Sequence, residues 1–378
     1  MQVSGISAEL VTLLKEKTEE LSQGREVACI AYYNKDGIVD EYSDLVSGGI
    51  GGIPLRQLLN TAGDISGKSL ISGIEQLPDN ALMISTKPGQ TGLITDVSGI
   101  DLFNLIMVSV GVKMGETAGI SAIYPEGKLF DLSTESEMIE LQRLSAKNIE
   151  EEKSIIEASI KLNLEFLNIS TELPVVNVPA KKRNGRGNRV KKDVNRNLRV
   201  NGLDKELAQE LVAESVKVGQ GREVAVIGEI DKEGIIRKAG KVVYGGIGYV
   251  PARVLASSYC DISGKSLYEV YKDIIPANGV IVHTHPGGTG VMHMGDASAG
   301  PITWGRPIVA IGHDKNGRIK GATVIMPDEK CMSLADEYEK LGQQFFTANT
   351  KEEEADIRNR RFGIAQEYTN LSLEIELV

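Results

Sequence analysis

The sequence has few cysteines, and the three it has, Cys29, Cys260 and Cys331, are scattered without metal-binding spacing. Structural disulfides belong mainly to oxidising compartments, so this pattern favours a reduced, cytoplasmic location. No apolar run approaches the roughly 18 residues of a membrane-spanning helix. The first residues, MQVSGISAELVTLLKEK, also lack the uninterrupted apolar stretch of a signal peptide. These absences predict a cytoplasmic protein with no membrane segment.

Basic residues are in the minority, because 42 Lys and Arg stand against 52 Asp and Glu and give a net charge of −10. This balance disfavours general binding to nucleic acids, which depends on neutralising phosphates. Walker and Rossmann glycine patterns are also missing, although the chain has 41 glycines. What remains is an ordinary globular composition, with 41% apolar and 25% charged residues. Its 378 residues predict about two or three domains.

The chain contains two copies of one unit. Three pairs of segments show this: GREVACIAYYNKDG (24–37) with GREVAVIGEIDKEG (221–234), DISGKSL (64–70) with its unchanged copy (261–267), and STKPGQTG (85–92) with HTHPGGTG (283–290). The first two pairs share an offset of 197 residues, and the third adds one residue. A solenoid needs many short repeats, so a single repeat of this length predicts a duplicated domain.

Each copy shows the same order of predicted elements: a helix, two strands, a Gly-rich loop, a second helix, a buried strand and a final strand pair. This mixture favours an α/β (α+β) fold, with a mixed, largely antiparallel sheet flanked by helices in each domain. Apolar periodicity over 134–167 predicts closing helices for the first copy, and Ser333 is the predicted N-cap of the matching helix. The predicted domains are residues 1–168 and 201–345, with a C-terminal helix or tail over 346–378.

The segment between the two copies is basic. Residues 179–199 contain nine Lys or Arg and one Asp, with Gly and Asn but no aromatic residue. This composition predicts a flexible linker over 169–200, while a patch for an anionic partner is the alternative.

All four histidines lie in the second copy. His283 and His285 end a predicted strand, and residues two apart on a strand point to the same face. Asp296 follows at the predicted start of a short helix. Two imidazoles and one carboxylate are typical of a catalytic zinc site with one open position. The alternative is an ordinary pair of strand histidines, and His313 is expected to be a polar turn residue.

The segment HTHPGGTGVMHMGD at 283–296 resembles the metal motif of the JAMM (MPN+) metalloprotease family. That motif is His-Ser/Thr-His-Pro, a spacer and Ser-x-x-Asp, with an upstream Glu before an apolar strand, which Glu223 matches. The resemblance implies two tandem MPN-like domains and a zinc-dependent peptidase or isopeptidase. It implies that His283, His285 and Asp296 bind Zn²⁺ and that Glu223 is the general base. Its substrate would be a protein or peptide, for example one carrying a ubiquitin-like tag.

One position departs from the family pattern, because His293 stands where the family has Ser. That Ser is expected to stabilise the oxyanion of the tetrahedral intermediate, and the imidazole of His293 could donate the same hydrogen bond. Alternatively, His293 is a fourth metal ligand that makes the site structural, Ser298 takes the family role, or His293 has no part in the chemistry. We expect His293 to donate the hydrogen bond to the oxyanion.

The first copy lacks the metal motif. Ser85, Lys87 and Ser98 stand at the positions of the two histidines and the aspartate, whereas Glu26 is retained. The first copy therefore resembles an inactive MPN− domain. Two other functions stay open for the whole chain: a non-catalytic scaffold with a structural zinc, and a nucleic-acid-associated protein similar to the RadC family, which has a related HxHP motif.

Overall fold

The computed structural model describes residues 2–94, 98–183 and 198–378. The first unit consists of β1 (Gly5–Ser7), α1 (Ala8–Leu21), β2 (Val27–Tyr33), β3 (Ile38–Tyr42), β4 (Val46–Ser47), α2 (Leu55–Asn60), α3 (Leu70–Ile74), β5 (Ala81–Pro88), α4 (Ser98–Phe103), β6 (Ile106–Lys113), β7 (Glu116–Ile123), α5 (Gly127–Arg143), α6 (Ile149–Ile169), β8 (Thr171–Glu172), β9 (Val175–Val176) and β10 (Lys181–Lys182).

The second unit repeats this order. It consists of β11 (Gly202–Leu203), α7 (Lys205–Val218), β12 (Arg222–Ile230), β13 (Ile235–Lys238), β14 (Val243–Ile247), α8 (Ala252–Tyr259), α9 (Leu267–Glu269), β15 (Gly279–Pro286), α10 (Met294–Ala297), β16 (Ile308–His313), β17 (Ile319–Ile325), α11 (Glu329–Phe345), α12 (Lys351–Asn370), β18 (Leu373–Glu374) and β19 (Glu376–Leu377). Two π-helical turns, Val270–Ile274 and Ser298–Ile302, follow α9 and α10.

The two sheets have the same strand order. It is β8-β7-β6-β5-β2-β3-β1-β9 in the first unit and β18-β17-β16-β15-β12-β13-β11-β19 in the second. The long strand pairs are mostly antiparallel, while β5 with β6 and β15 with β16 are parallel. This confirms the predicted mixed α/β fold with a helix-flanked sheet in each unit.

Local sequence signals explain where the first helix of each unit begins. The Ser7 hydroxyl accepts a hydrogen bond from the backbone of α1, and the Asp204 carboxylate accepts two from α7. Such caps satisfy N–H groups that have no partner within a helix. The predicted final strand pair of the second unit is β16 and β17, and Gly317 in the turn between them has a φ of 78°. Glycine adopts this left-handed conformation without steric penalty.

The closing helix of the second unit begins earlier than predicted. Helix α11 starts at Glu329, and Asp328 rather than Ser333 is its N-cap, with its Oδ1 atom 2.8 Å from the Cys331 amide. Ser333 lies inside the helix and donates to the carbonyl of Glu329. An aspartate after a proline caps a helix as well as a serine does, so composition alone did not separate the two positions.

Residues beyond the two predicted domain ends contribute strands to the sheets. Within the segment predicted as a linker, β8 pairs with β7, β9 with β1 and β10 with β3. At the C-terminus β18 pairs with β17 and β19 with β11, and α12 buries Tyr368 against the second unit. The duplicated unit is therefore longer than the repeated motifs indicate. The rest of the predicted linker, 184–197, lies outside the described residues.

Each unit contacts the other through an arginine near the start of its second helix. In one contact, Arg253 of α8 forms an ion pair with Asp101 of the first unit at 2.6 Å and a 2.7 Å hydrogen bond with Thr134 of α5. In the reciprocal contact, Arg56 of α2 pairs with Asp336 of α11, also at 2.6 Å. Arg56 and Arg253 occupy equivalent positions of the two copies. The units therefore pack as an approximately two-fold pair.

The apolar cores follow the same arrangement. One core packs α1 against the first sheet and another packs α7 against the second. A third contains residues of both units, including Leu58 and Phe103 from the first and Leu255 and Trp304 from the second. Every helix in the described ranges is too short or too polar to cross a bilayer.

Candidate metal centre

The end of the central strand β15 carries the two histidines. His283 pairs with Ala225 of β12 on one side and with Ala310 of β16 on the other. Thr284, between the two histidines, points to the opposite face and accepts a hydrogen bond from the Val224 amide at 3.0 Å. Strand alternation therefore places both imidazoles on one face, as the sequence predicts.

Three ligand atoms converge at this point. His283 Nε2 lies 2.9 Å from His285 Nε2 and 3.2 Å from Asp296 Oδ1, and His285 Nε2 lies 3.5 Å from the same oxygen. Around a tetrahedral Zn²⁺ with bonds of roughly 2.0–2.2 Å, neighbouring ligand atoms lie about 3.3–3.6 Å apart. The 3.5 Å separation lies in this range and the other two are shorter, so the three atoms could form one face of such a tetrahedron after the two imidazoles move apart by a few tenths of an ångström. Among the described residues, they are the one group of three or more such side chains that could hold a metal ion.

Asp296 is the third residue of α10, and its two oxygens have different partners. Oδ2 accepts a 2.7 Å hydrogen bond from the His293 amide, which leaves Oδ1 directed at the imidazoles. Burial disfavours the carboxylate, but hydrogen bonds from His283 and His285 outweigh burial and hold the pKa of Asp296 well below its usual range. Asp296 therefore stays anionic, the state that a metal ligand needs.

The two imidazoles differ in how they are held. Burial opposes protonation of His285, but its hydrogen bond to Asp296 and the charges of Asp296 and Glu223 outweigh this and raise its pKa. His285 also hydrogen-bonds the backbone of Val291. The buried Nδ1 atom of His283 has no hydrogen-bond partner within the described part of the chain. A cation shared by the Nε2 atoms would relieve their close approach.

Glu223 lies on β12 at the same face of the sheet. Its side chain lines the cavity that also contains His283 and Asp296. Burial raises the pKa of Glu223, although the positive charge of protonated His283 and His285 would lower it. A carboxyl group whose pKa is shifted towards neutrality is a better general base at physiological pH than an exposed one.

The other two histidines have separate positions. His293 is the N-cap residue of α10, and its exposed side chain is outside the three-residue cluster. Ser298 lines the neighbouring cavity. His313 is not the exposed turn residue that we expected: it ends β16, is 3% exposed, and its Nε2 lies 3.0 Å from the hydroxyl of Ser215 on α7. It is a buried link between a strand and a helix.

The equivalent position of the first unit holds an ion pair. Lys87 Nζ lies 2.7 Å from Glu26 Oε1, and the Glu26 side chain is only 5% exposed. Ser85 pairs with Ala28, the same register that His283 has with Ala225. The side chain of Ser98 is outside the described part of the structure. An ammonium group thus stands beside the retained glutamate where the second unit presents imidazoles.

Sequence reasoning missed a cavity beside the cluster. It has a volume of about 320 Å³, and its walls include Tyr271, Trp304 and, from the first unit, Leu102. Trp304 is the one tryptophan of the sequence, and a single large aromatic residue near the metal motif could have indicated an apolar cavity there. The contribution of Leu102 was not readable, because it depends on how the two units pack.

Comparisons with known proteins give no relative for this chain. Neither a protein-family model, nor a curated protein, nor a solved structure matches it. A functional assignment therefore depends on the side chains of the site itself.

Proposed function

We propose that the second unit is a zinc-dependent hydrolase of peptide or isopeptide bonds. The observation that carries this proposal is the convergence of His283 Nε2, His285 Nε2 and Asp296 Oδ1 at 2.9–3.5 Å, with Glu223 beside them. Three protein ligands leave a fourth coordination position for water, as in catalytic zinc sites. The resemblance of 283–296 to the JAMM motif supports the same assignment.

Each residue of the site has one role in this reaction. His283, His285 and Asp296 hold the metal, which when bound would supply Lewis acidity to a water molecule and to the scissile carbonyl group. Glu223 accepts a proton from the attacking water and later returns it to the leaving amine. Water adds across the amide, so a C–O bond forms, the C–N bond breaks, and the products are a carboxylic acid and an amine.

His293 is assigned to stabilising the oxyanion. Its side chain is exposed at the start of α10, three residues before Asp296, and its backbone amide donates a hydrogen bond to the carboxylate of that residue. An imidazole N–H at this place can donate to the negative oxygen that develops in the transition state.

The three unpaired cysteines favour a reducing compartment, so we place the activity in the cytoplasm.

The proposal is tested by elemental analysis and peptide hydrolysis on the same preparations. We expect about one zinc per chain, because only the second unit has the ligand set. Asp296→Ala and His285→Ala should lose both the zinc and the hydrolysis of a quenched-peptide library. The control is Asp273→Ala, which removes an exposed carboxylate of the same unit.

Three results would contradict the proposal or part of it. Zinc binding by Asp296→Ala at wild-type affinity would exclude the assigned ligands. A zinc-loaded wild-type protein that cleaves no member of the peptide library would exclude a general peptidase. Two zinc ions per chain would show that the first unit also binds metal.

A further inference from the structure

The cavity beside the metal centre is lined by the polar side chains of that centre and by mainly apolar residues elsewhere. Glu223, His283 and Asp296 lie at one side of it, and the remaining walls are mainly aliphatic and aromatic. Tyr271 and Trp304 form part of these walls and stack on each other, with ring centroids 4.2 Å apart and an interplanar angle of 7°. The cavity is therefore continuous with the place where an amide bond would be hydrolysed.

The first unit completes this cavity. Leu102 belongs to α4, and the residue before it, Asp101, is fixed to the second unit by Arg253 at 2.6 Å and by the Leu267 amide at 2.9 Å. Both contacts are buried, which holds the end of α4 against the second unit. The apolar side chain of Leu102 thus closes a pocket whose polar groups all belong to the other unit.

We propose that this pocket binds a large apolar side chain next to the scissile amide, and that Leu102 makes the first unit part of substrate recognition. This inference rests on the proposed function, since it names the class of substrate for the same site. The preferred substrates have an aromatic or large aliphatic residue beside the bond that is cleaved.

The size of the cavity supports an aromatic occupant. A cavity of about 150 Å³ lined by aliphatic side chains is enough to bind benzene. The present cavity, at about 320 Å³, is about twice that size, so it has space for the peptide group beside Glu223 as well. Burying such a side chain also removes apolar surface from water, which favours binding.

The apolar walls select against charged side chains. Leu255, Ile281 and Trp304 line the cavity and offer no hydrogen-bond partner to a carboxylate or an ammonium group apart from the indole N–H. A substrate Glu or Lys side chain placed against them would lose its hydration without gaining a charged partner, which costs free energy.

Trp304 provides a direct test that does not require metal or catalysis. It is the one tryptophan in the chain and lines the cavity, so its fluorescence reports occupancy of the pocket. We would titrate the metal-free protein with peptides acetyl-Gly-Gly-X-Gly-Gly-amide, in which X is Phe, Leu, Lys or Glu. We expect the Phe and Leu peptides to change the fluorescence and to bind at least about tenfold more tightly than the Lys and Glu peptides.

Two variants test the walls from opposite sides. Leu102→Phe adds bulk from the first unit, and Ala252→Leu adds bulk from α8 of the second, so each should weaken binding of the Phe peptide about tenfold or more. Leu164→Phe is the matched control, because Leu164 is 56% exposed on α6. Circular dichroism and zinc content would establish that each variant folds and keeps its metal site.

The same peptides separate this inference from the proposed function. In the zinc-loaded protein, kcat/KM should be higher for the Phe and Leu peptides than for the Lys and Glu peptides. Hydrolysis without this order, together with unchanged Trp304 fluorescence, would overturn the pocket while leaving the hydrolase intact. Selective binding without hydrolysis would support the pocket and contradict the hydrolase. Equal binding of all four peptides would also overturn the pocket.

Discussion

The two units differ in what lies beside their equivalent glutamates, Glu26 and Glu223. In the first unit the cation is the ammonium group of Lys87, 2.7 Å from Glu26. In the second, His285 occupies the position of Lys87, and the imidazoles with Asp296 form a site for an external ion. The strands around both sites have the same register. The same position of the fold therefore holds a lysine side chain in the first unit and a group of side chains that could bind a metal ion in the second.

The two glutamates therefore have different surroundings, although the strands around them are equivalent. In the first unit, Lys87 gives the buried carboxylate of Glu26 a cationic partner that belongs to the protein itself. In the second unit burial raises the pKa of Glu223, which suits proton transfer. The comparison predicts that equivalent substitutions in the two units have unequal effects.

The largest expected difference is between the two glutamates. Glu223→Gln should retain zinc but lower kcat by about 10²–10⁴-fold, because an amide cannot accept the proton of the attacking water. Glu26→Gln is the matched control and should keep kcat near the wild-type value. Steady-state hydrolysis and zinc content of the two variants measure this difference. Equal losses of activity in both would rule out Glu223 as the base.

The next difference concerns the two interface arginines. Arg253→Met leaves Asp101 buried without its cation, which should lower the free energy of unfolding by about 3–5 kcal/mol. Arg56→Met should have a smaller effect, because the Asp336 side chain is 23% exposed, against 8% for Asp101, and water can solvate it. Chemical denaturation measures both. A larger loss for Arg56→Met would show that exposure of the acidic partner does not determine the effect.

The sequence predicted the fold within each unit better than the packing between units. The predicted order of helices and strands is found in both units, since the signals behind it are local. The two-residue strands at the unit ends carry no periodicity. The exchange of closing helices depends on contacts between distant segments, although an arginine at equivalent positions of α2 and α8 was a visible signal.

The third prediction concerns His293, since all histidines of the chain lie in the second unit. His293→Ala should keep zinc but lower kcat by about 10²–10³-fold, as expected for loss of one oxyanion donor. His293→Ser should recover part of this loss, since a hydroxyl can also donate. Kinetics and zinc affinity are measured together. Higher activity with weaker zinc binding in His293→Ala would identify a fourth ligand instead.

The candidate site was predictable in part. The His-x-His spacing on a strand and an acidic residue at a helix start are local patterns, and they led to His283, His285 and Asp296. The sequence could not show that the Asp296 oxygens divide between the His293 amide and the imidazoles. It also could not show Leu102 in the neighbouring pocket, because no local pattern encodes a contact between units.

The smallest expected effect concerns the fixed cation of the first unit. Lys87→Met leaves the Glu26 carboxylate without its ion pair. Because the Lys87 side chain is 24% exposed, against 1% for Arg253, water can reach this pair, and the loss of stability should be only about 1–3 kcal/mol. The double variant Glu26→Met, Lys87→Met removes both charges and should be close to the wild type, because an apolar pair of similar volume often replaces a buried ion pair at little cost. Thermal and chemical denaturation of the single and double variants give the coupling between the two residues. Hydrolysis should stay unchanged in both, since the second unit keeps its ligands and Glu223. A double variant less stable than Lys87→Met alone would mean that Glu26 is held by contacts other than the lysine, and the fixed-cation interpretation of the first unit would be wrong.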